Sequence, residues 1–269
     1  MNYTNPAKLI MYLGVVLAIS TVFFSTSNYS CAKPMAVDGA DPSSSGPTDF
    51  GIYQNYSPTP AEVIKEMREN KWLSNDFKQW FVSPKGTSNG KAAIEDPVDL
   101  QTALKGGNSN AVIRPGDIVW LRGGIYKGVF TVRVAGRRDS PIHFRQYPGE
   151  RAVLDKSEAS RKKAALNVRG ANLWFWDFEV MNSFPDRQRL DARDALNPWR
   201  GSGINVWAEN TKYINLVIHD NGHGFGLWNE EGGTEIYGCL IFNNGNNKKE
   251  HGVYAHNKTG TQIIENNVI

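Results

Sequence analysis

Histidines are concentrated near the end of this chain of 269 residues, where four of the five lie in the last fifth. Two of them begin similar stretches: His223 opens "HGFGLW", and His251 opens "HGVYAH", which also contains Tyr254. Imidazole and phenol side chains can transfer protons to and from a reacting group. We therefore predict that His251 and Tyr254, beside Glu250, act as a base and acid pair without a metal, with His223 in the same catalytic group.

The two His-Gly stretches belong to a longer repeat. Four segments align without gaps, namely "ALNVR" (165–169), "GINVW" (203–207), "GFGLW" (224–228) and "GVYAH" (252–256). Each is followed by a second element, at 176–183, 214–221, 237–244 and 265–269. The first segments start 38, 21 and 28 residues apart, and a period of roughly 20 to 30 residues with an insertion is typical of a solenoid. The two stretches are most simply one strand on successive coils.

Alternation along this strand predicts which side chains face outward. The apolar set should fill the core, and it consists of Leu166 and Val168, Ile204 and Val206, Phe225 and Leu227, Val253 and Ala255. Because coils stack about 4.8 Å apart, the outward residues Arg169, Trp207, Trp228 and His256 are expected to form a ladder of flat, substrate-binding side chains. Sugar rings stack on such surfaces. The alternative is that a loop covers the ladder and the rings serve only packing.

Two charged regions accompany the ladder. The excursion 184–200, which ends at Arg200, carries four Arg and three Asp; we expect it to form a cleft wall with Arg200 binding substrate, or else to be a solvated loop. Residues 133–169 hold ten Lys and Arg against four acids. That surplus suits an acidic polymer, although ordinary solubility charge explains it equally well. The net charge of +3 is too small to indicate nucleic acid.

The N-terminus is typical of an export signal. Lys8 precedes an apolar run over 9–24, and we assign 1–31 to a signal peptide. The run is shorter than the roughly 20 residues that span a bilayer, so a retained anchor is the less favoured alternative. Cys31 offers a lipoprotein site, which would be the one link to a membrane. Residues 32–57 predict a linker, rich in Pro, Ser and Gly.

A folded domain is predicted over 58–269. Thr59, Pro60 and Glu62 supply an N-cap, a first-turn proline and a capping-box carboxylate, so a helix should begin there with Val63, Ile64 and Met67 facing inward. A strand at "QWFVSP" and a short helix at "DPVDLQTALKGG" follow. Cys239 is the only cysteine besides Cys31, so no intrachain disulfide is expected after cleavage. Export without disulfides suggests a bacterial protein that is secreted, periplasmic or on the cell surface.

The run from "WFVSP" through "PGDIVWLRGGIY" to "PIHFRQYPGE" resembles the N-terminal part of right-handed parallel β-helix proteins of the pectate-lyase-like superfamily, including the group of chondroitinase B and alginate lyases. The resemblance implies an all-β, right-handed parallel β-helix solenoid with an N-terminal helical cap. It also implies a polysaccharide lyase that cleaves an acidic, uronate-containing polysaccharide by β-elimination. Lyases of this superfamily use calcium with Lys or Arg, but no metal cluster of that kind maps onto this chain, so the metal stays unknown.

Other functions remain open at this stage. A glycoside hydrolase of the same fold would need converging carboxylates, for which Asp220, Glu230 and Glu231 are available. A non-catalytic glycan-binding or adhesin protein could use the same aromatic ladder. No phosphate-binding glycine loop supports a nucleotide or cofactor enzyme. We expect a monomer, and because the sequence stops at "ENNVI" within an aligned strand, we expect a product truncated at the C-terminus.

Overall fold

The computed structural model describes residues 58–157, 163–185, 200–245 and 250–269. The predicted signal peptide and linker lie outside these residues. The helices are α1 (Pro60–Glu69) and α2 (Leu100–Leu104). The strands are β1 (Gln79–Thr87), β2 (Ile118–Leu121), β3 (Gly124–Lys127), β4 (Phe130–Val132), β5 (Ile142–Gln146), β6 (Ala152–Asp155), β7 (Leu166–Val168), β8 (Leu173–Trp176), β9 (Glu179–Met181), β10 (Ile204–Val206), β11 (Thr211–Ile214), β12 (Val217–His219), β13 (Phe225–Leu227), β14 (Thr234–Tyr237), β15 (Leu240–Phe242), β16 (Val253–Ala255) and β17 (Ile263–Glu265).

These strands form three parallel sheets that the chain visits in turn. Sheet A is seven-stranded in the order β1-β2-β5-β8-β11-β14-β17; sheet B is β3-β6-β9-β12-β15, and sheet C is β4-β7-β10-β13-β16. Each coil therefore runs from sheet A to sheet B to sheet C, and each strand pairs with the equivalent strand one coil away. This is the parallel β-helix that the sequence predicted.

The interior is filled by side chains that stack from coil to coil. On sheet A, Phe175 stacks between Phe144, at 5.5 Å between ring centroids, and Tyr213, at 5.2 Å. Phe225 of sheet C meets Tyr213 edge to face at 5.1 Å. All four rings are buried. Aromatic rings bury more apolar area than other side chains, so this inner stack is a large contributor to the stability of the middle coils.

Sheet C has the register that the sequence alignment predicted. Ile204 pairs with Leu166 on one side and with Phe225 on the other, and Phe225 pairs in turn with Val253. The predicted inward residues of β7, β10 and β13 are fully buried. On β16, Val253 is partly buried and Ala255 is exposed.

In the first three repeats, the second element is in fact the end of one strand and the whole of the next, with two residues between them. It begins with the end of a sheet A strand, turns at a left-handed residue and continues into sheet B. The turn residues are Asp177, Asn215, Gly238 and Asn266, all with φ between 54° and 68°. Since L-residues other than Asn, Asp and Gly are disfavoured in this region, the turn explains why these residue types recur there.

We expect Asn215→Ala to lower the free energy of unfolding by about 1 kcal/mol, because Ala pays the full left-handed penalty and loses the bond from Asn215 Nδ2 to Asp177 Oδ1. Asn215→Gly should cost less, since glycine adopts this φ freely and already occupies the next coil at Gly238. Urea denaturation of both variants measures the difference. Equal losses would mean that backbone conformation is not what selects Asn here.

The two helices occupy different places. As predicted, Thr59 caps α1 in a complete capping box with Glu62. However, Val63 and Met67 of α1 pack with Ile118 and Trp120, the outward residues of β2, so α1 covers the outside of sheet A. The helix that covers the N-terminal end of the coil interior is α2, because its Leu100, Ala103 and Leu104 pack into the main hydrophobic core. Neither helix is long and apolar enough to cross a membrane.

Candidate functional site

A line of flat side chains runs along the outer face of sheet C, one from each of four coils. The guanidinium of Arg169 lies 4.9 Å from the ring centroid of Trp207. Trp207 stacks on Trp228 at 5.9 Å and 22°, and Trp228 meets Tyr254 at 5.1 Å and 40°. Trp207 is 44% exposed. We call Arg169, Trp207, Trp228 and Tyr254 the aromatic strip.

Trp228 is held in place by two residues that the sequence analysis did not assign. Its indole N–H donates to Asn205 Oδ1 at 3.0 Å. A Cβ at Gly226 would lie 2.6 Å from the same indole nitrogen, so the ring lies over its own strand only because residue 226 is glycine. A glycine in a strand often marks such a close approach, and this was the signal available in the sequence.

The strip ends in a cluster of three rings, which we call the histidine cluster: His223, His251 and Tyr254. The two imidazoles stack at 5.6 Å, and Tyr254 lies 5.8 Å from His223 and 5.7 Å from His251, measured between centroids. The structure thus brings together the three side chains predicted to transfer protons. His251 is exposed, while His223 and Tyr254 are partly buried.

The hydrogen bonding of His223 determines where its proton lies. The backbone N–H of His251 donates to His223 Nδ1 at 3.0 Å, so a neutral His223 carries its proton on Nε2. Burial, followed by the nearby His251, lowers the pKa of His223. Neutral His223 is therefore a hydrogen-bond donor through Nε2 and has no free lone pair to act as a base.

Two predicted binding residues are placed differently from expectation. His256 is exposed and follows β16, but the ring that contacts Trp228 on this coil is that of Tyr254, because Trp228 is folded back over Gly226 and Gly226 pairs with Tyr254. Arg200 is only 2% exposed. Its guanidinium donates to the backbone carbonyls of Asn182, Phe184 and Asp220. Arg200 thus joins loops inside the protein, and we leave it out of the proposed site.

Most of the charged excursion 184–200 lies outside the described residues. So does 158–162 of the basic stretch.

The carboxylates considered for hydrolysis stand apart. Asp220 precedes β13 and accepts hydrogen bonds from His219 at 2.6 Å and Asn243 at 2.7 Å. Glu230 and Glu231 follow β13, and Glu230 is paired with Lys258 at 2.8 Å. Asp220 and Asn243 are thus linked across neighbouring coils.

A calcium ion has no matching ligand set in the described part of the chain. Nowhere in 58–157, 163–185, 200–245 or 250–269 do three His, Cys, Asp or Glu side chains converge as metal ligands would. The histidine cluster supplies two imidazoles, whereas calcium takes six to eight oxygen ligands. We therefore derive no chemical step through a metal.

Buried charges on sheet B connect successive coils. His219, on β12, contacts Glu179 of β9 at 2.8 Å and its own neighbour Asp220. Burial alone would raise the pKa of Glu179, but bonds from His219 and Arg151 hold it below the usual range. Each ring nitrogen of His219 thus contacts one carboxylate. This network faces sheet B, away from the strip.

Comparisons with known proteins identify the same β-helix architecture. A family described as the Pel9A-like right-handed β-helix region matches residues 80–263. Pectate lyase L of Thermoclostridium stercorarium is 27% identical over 118 residues, which cover 42% of this chain and 9% of that protein.

Among solved structures, pectate lyase Pel9A is 18% identical with a TM-score of 0.45, covering 65% of this chain and 50% of that one. The alginate lyase from Paenibacillus sp. str. FPU-7 is 20% identical with a TM-score of 0.41, covering 61% of this chain and 44% of that one. This chain thus spans half or less of the length of these relatives. The match over 80–263, which is most of the described coils, shows that the chain belongs to the family of Pel9A-like right-handed β-helix proteins.

Proposed function

We propose that this β-helix is an exported, monomeric polysaccharide lyase that cleaves an acidic, uronate-containing polysaccharide by β-elimination on the outer face of sheet C. The observation that carries the proposal is the continuity of the aromatic strip with the histidine cluster. Tyr254 belongs to both, contacting Trp228 at 5.1 Å and His251 at 5.7 Å. A chain of sugars lying along the strip is thereby led to the groups able to transfer protons.

The cluster supplies the three functions that β-elimination needs. His251, the exposed imidazole, takes the proton from C5 of the uronate, and the freed electron pair forms the C4–C5 double bond. The bond from C4 to the leaving oxygen breaks, and the Tyr254 hydroxyl protonates that oxygen. The Nε2–H of His223 donates a hydrogen bond to the uronate carboxylate, over which the developing negative charge is spread. Protonated His251 then returns its proton to Tyr254, so the cycle closes without another reactant.

A second candidate function is glycan binding without cleavage. The middle of the strip presents only two indoles and the amide of Asn205, while the proton-transfer groups lie at one end. Such a surface is sufficient for a binding module, because ring stacking and amide hydrogen bonds need no acid or base. The two candidates differ in whether the bound polymer is shortened.

The strip is tested by replacing its most exposed ring. Trp207→Ala should weaken binding of the preferred polymer about tenfold, the effect of losing an aromatic contact of about 1.4 kcal/mol. Affinity electrophoresis in gels containing polygalacturonate, alginate or chondroitin sulfate measures this.

Tyr237→Ala is the matched control, because Tyr237 is equally exposed, at 47%, but lies on sheet A. Its retardation should equal that of the unsubstituted protein. If Trp207→Ala were retarded as strongly as Tyr237→Ala in all three gels, the strip would not be the polysaccharide surface.

A further inference from the structure

The column of outward residues on sheet C extends one coil beyond the aromatic strip. Val132, Val168, Val206 and Leu227 are aligned on neighbouring strands, so the residues that follow them are also neighbours. These are Arg133, Arg169, Trp207 and Trp228. Arg169, Trp207 and Trp228 each donate a backbone N–H to the preceding coil, at 3.0, 2.9 and 2.8 Å. Two arginines therefore stand side by side at the end of the strip furthest from the histidine cluster.

These two arginines differ from those on the other sheets. Arg122, Arg145 and Arg151 form ion pairs with Glu150, Asp177 and Glu179 respectively. Arg133 and Arg169 are exposed, and within the described residues neither guanidinium forms an ion pair or a hydrogen bond. Two arginines that form no ion pair among the described residues thus occupy adjacent coils of the column that leads into the strip.

The arrangement is unfavourable for the protein alone. Like charges on adjacent strands destabilise a sheet, and the two positions are one coil, or about 4.8 Å, apart along the stack. Arg169 is also held over Trp207, which fixes the plane of its guanidinium and leaves its N–H edge available. A planar guanidinium binds carboxylate and sulfate groups in two-pronged fashion. An anion bound there would relieve the repulsion.

We propose that Arg133 and Arg169 form an anion subsite that binds the carboxylate or sulfate groups of an acidic polysaccharide. This inference rests on the proposed function and gives the polymer a layout: acidic sugars on the arginines, ring faces against Trp207 and Trp228, and reaction at His251. Arg169 and Tyr254 are three coils, or about 14 Å, apart. An oligosaccharide shorter than this distance cannot contact the arginines and the histidine cluster together. The subsite should therefore govern KM and the preferred chain length rather than kcat.

Binding by single-charge variants tests this directly. Arg133→Gln and Arg169→Gln should each weaken binding about fivefold, the upper range for an exposed ion pair, when affinity electrophoresis is run at low salt. Arg138→Gln is the matched control, because Arg138 is another exposed arginine of the basic stretch but lies off the column, and its binding should be unchanged. Polygalacturonate offers only carboxylates and dextran sulfate only sulfates, so the polymer that shows the difference identifies the anion.

The subsite would be overturned if Arg138→Gln weakened binding as much as the other two, since general charge would then explain the effect. It would also be overturned if neither Arg133→Gln nor Arg169→Gln changed binding, or if the unsubstituted protein bound neither polymer. Because binding is measured without cleavage, the two proposals fail separately. If the two variants lose binding selectively but the protein cleaves nothing, the subsite stands and the lyase function is wrong. If the protein cleaves a polymer and both variants keep an unaltered KM, the lyase function stands and the subsite is wrong.

Discussion

His251→Ala should lower the rate of polymer cleavage by about 10²- to 10⁴-fold, the usual contribution of a general acid or base. In the structure His251 is the exposed imidazole of the cluster, while His223 Nδ1 is occupied by the backbone N–H of residue 251. That bond uses the main chain, so it survives the substitution and His223 keeps its orientation. Initial rates of product formation, with binding measured alongside, give the result.

Two companion variants sharpen the test. Tyr254→Phe keeps the ring that stacks with Trp228 and His251 but removes the hydroxyl, so it should lose kcat with little change in polymer binding. Tyr237→Phe removes a hydroxyl on sheet A and should leave the rate unaltered. If His251→Ala cleaved as fast as the unsubstituted protein, the histidine cluster would not be the reaction centre.

Phe175→Ala should cost about 3 to 5 kcal/mol of stability, the range for truncating a buried aromatic side chain. Phe175 lies at the centre of the inner stack, between Phe144 and Tyr213, and also meets Phe178 edge to face at 6.3 Å. Its removal leaves a cavity bordered by rings on both neighbouring coils, which cannot collapse without moving two strands. Thermal unfolding followed by circular dichroism measures the loss.

Phe175→Leu serves as the control for this substitution, because leucine retains most of the buried volume and should lose much less stability. Ala and Leu variants of equal stability would show that the inner stack is not close-packed. Neither variant alters a side chain of the aromatic strip, so polymer binding at a temperature where both remain folded should match that of the unsubstituted protein.

The sequence was sufficient to predict the register of sheet C because its strands alternate strictly and begin at equivalent positions. Leu166, Ile204, Phe225 and Val253 align in the structure as they do in the repeat. Sheets A and B were not separated, because only two residues lie between their strands, and a left-handed residue such as Asn215 is followed by a buried apolar one such as Leu216. The position of α1 was also missed, since the packing of Met67 against Trp120 joins segments far apart in sequence.

Side-chain positions along the strip were predicted correctly where they depended on register and wrongly where they depended on side-chain direction. The stacking of Trp207 on Trp228 was predicted and is confirmed. The next ring is Tyr254 and not His256, because Gly226 lets Trp228 fold back over its strand, a rotamer that no alternation pattern shows. Arg133 could have been found from the sequence, since "FTVR" (130–133) has the same pattern as "LNVR" (166–169), which lies one coil further along the chain. Arg200 is buried because it donates hydrogen bonds to backbone carbonyls of loops, and the sequence does not predict where those loops lie.

The central proposal is that the outer face of sheet C cleaves an acidic polysaccharide by β-elimination, and ultraviolet absorbance at the wavelength of an unsaturated uronate tests it most directly. The folded protein is mixed with polygalacturonate, alginate and chondroitin sulfate, with and without calcium. We predict a rise on one of the three polymers, because elimination creates a double bond conjugated with the uronate carboxylate. No rise on any polymer that the protein demonstrably binds would contradict the account and leave a glycan-binding surface in its place.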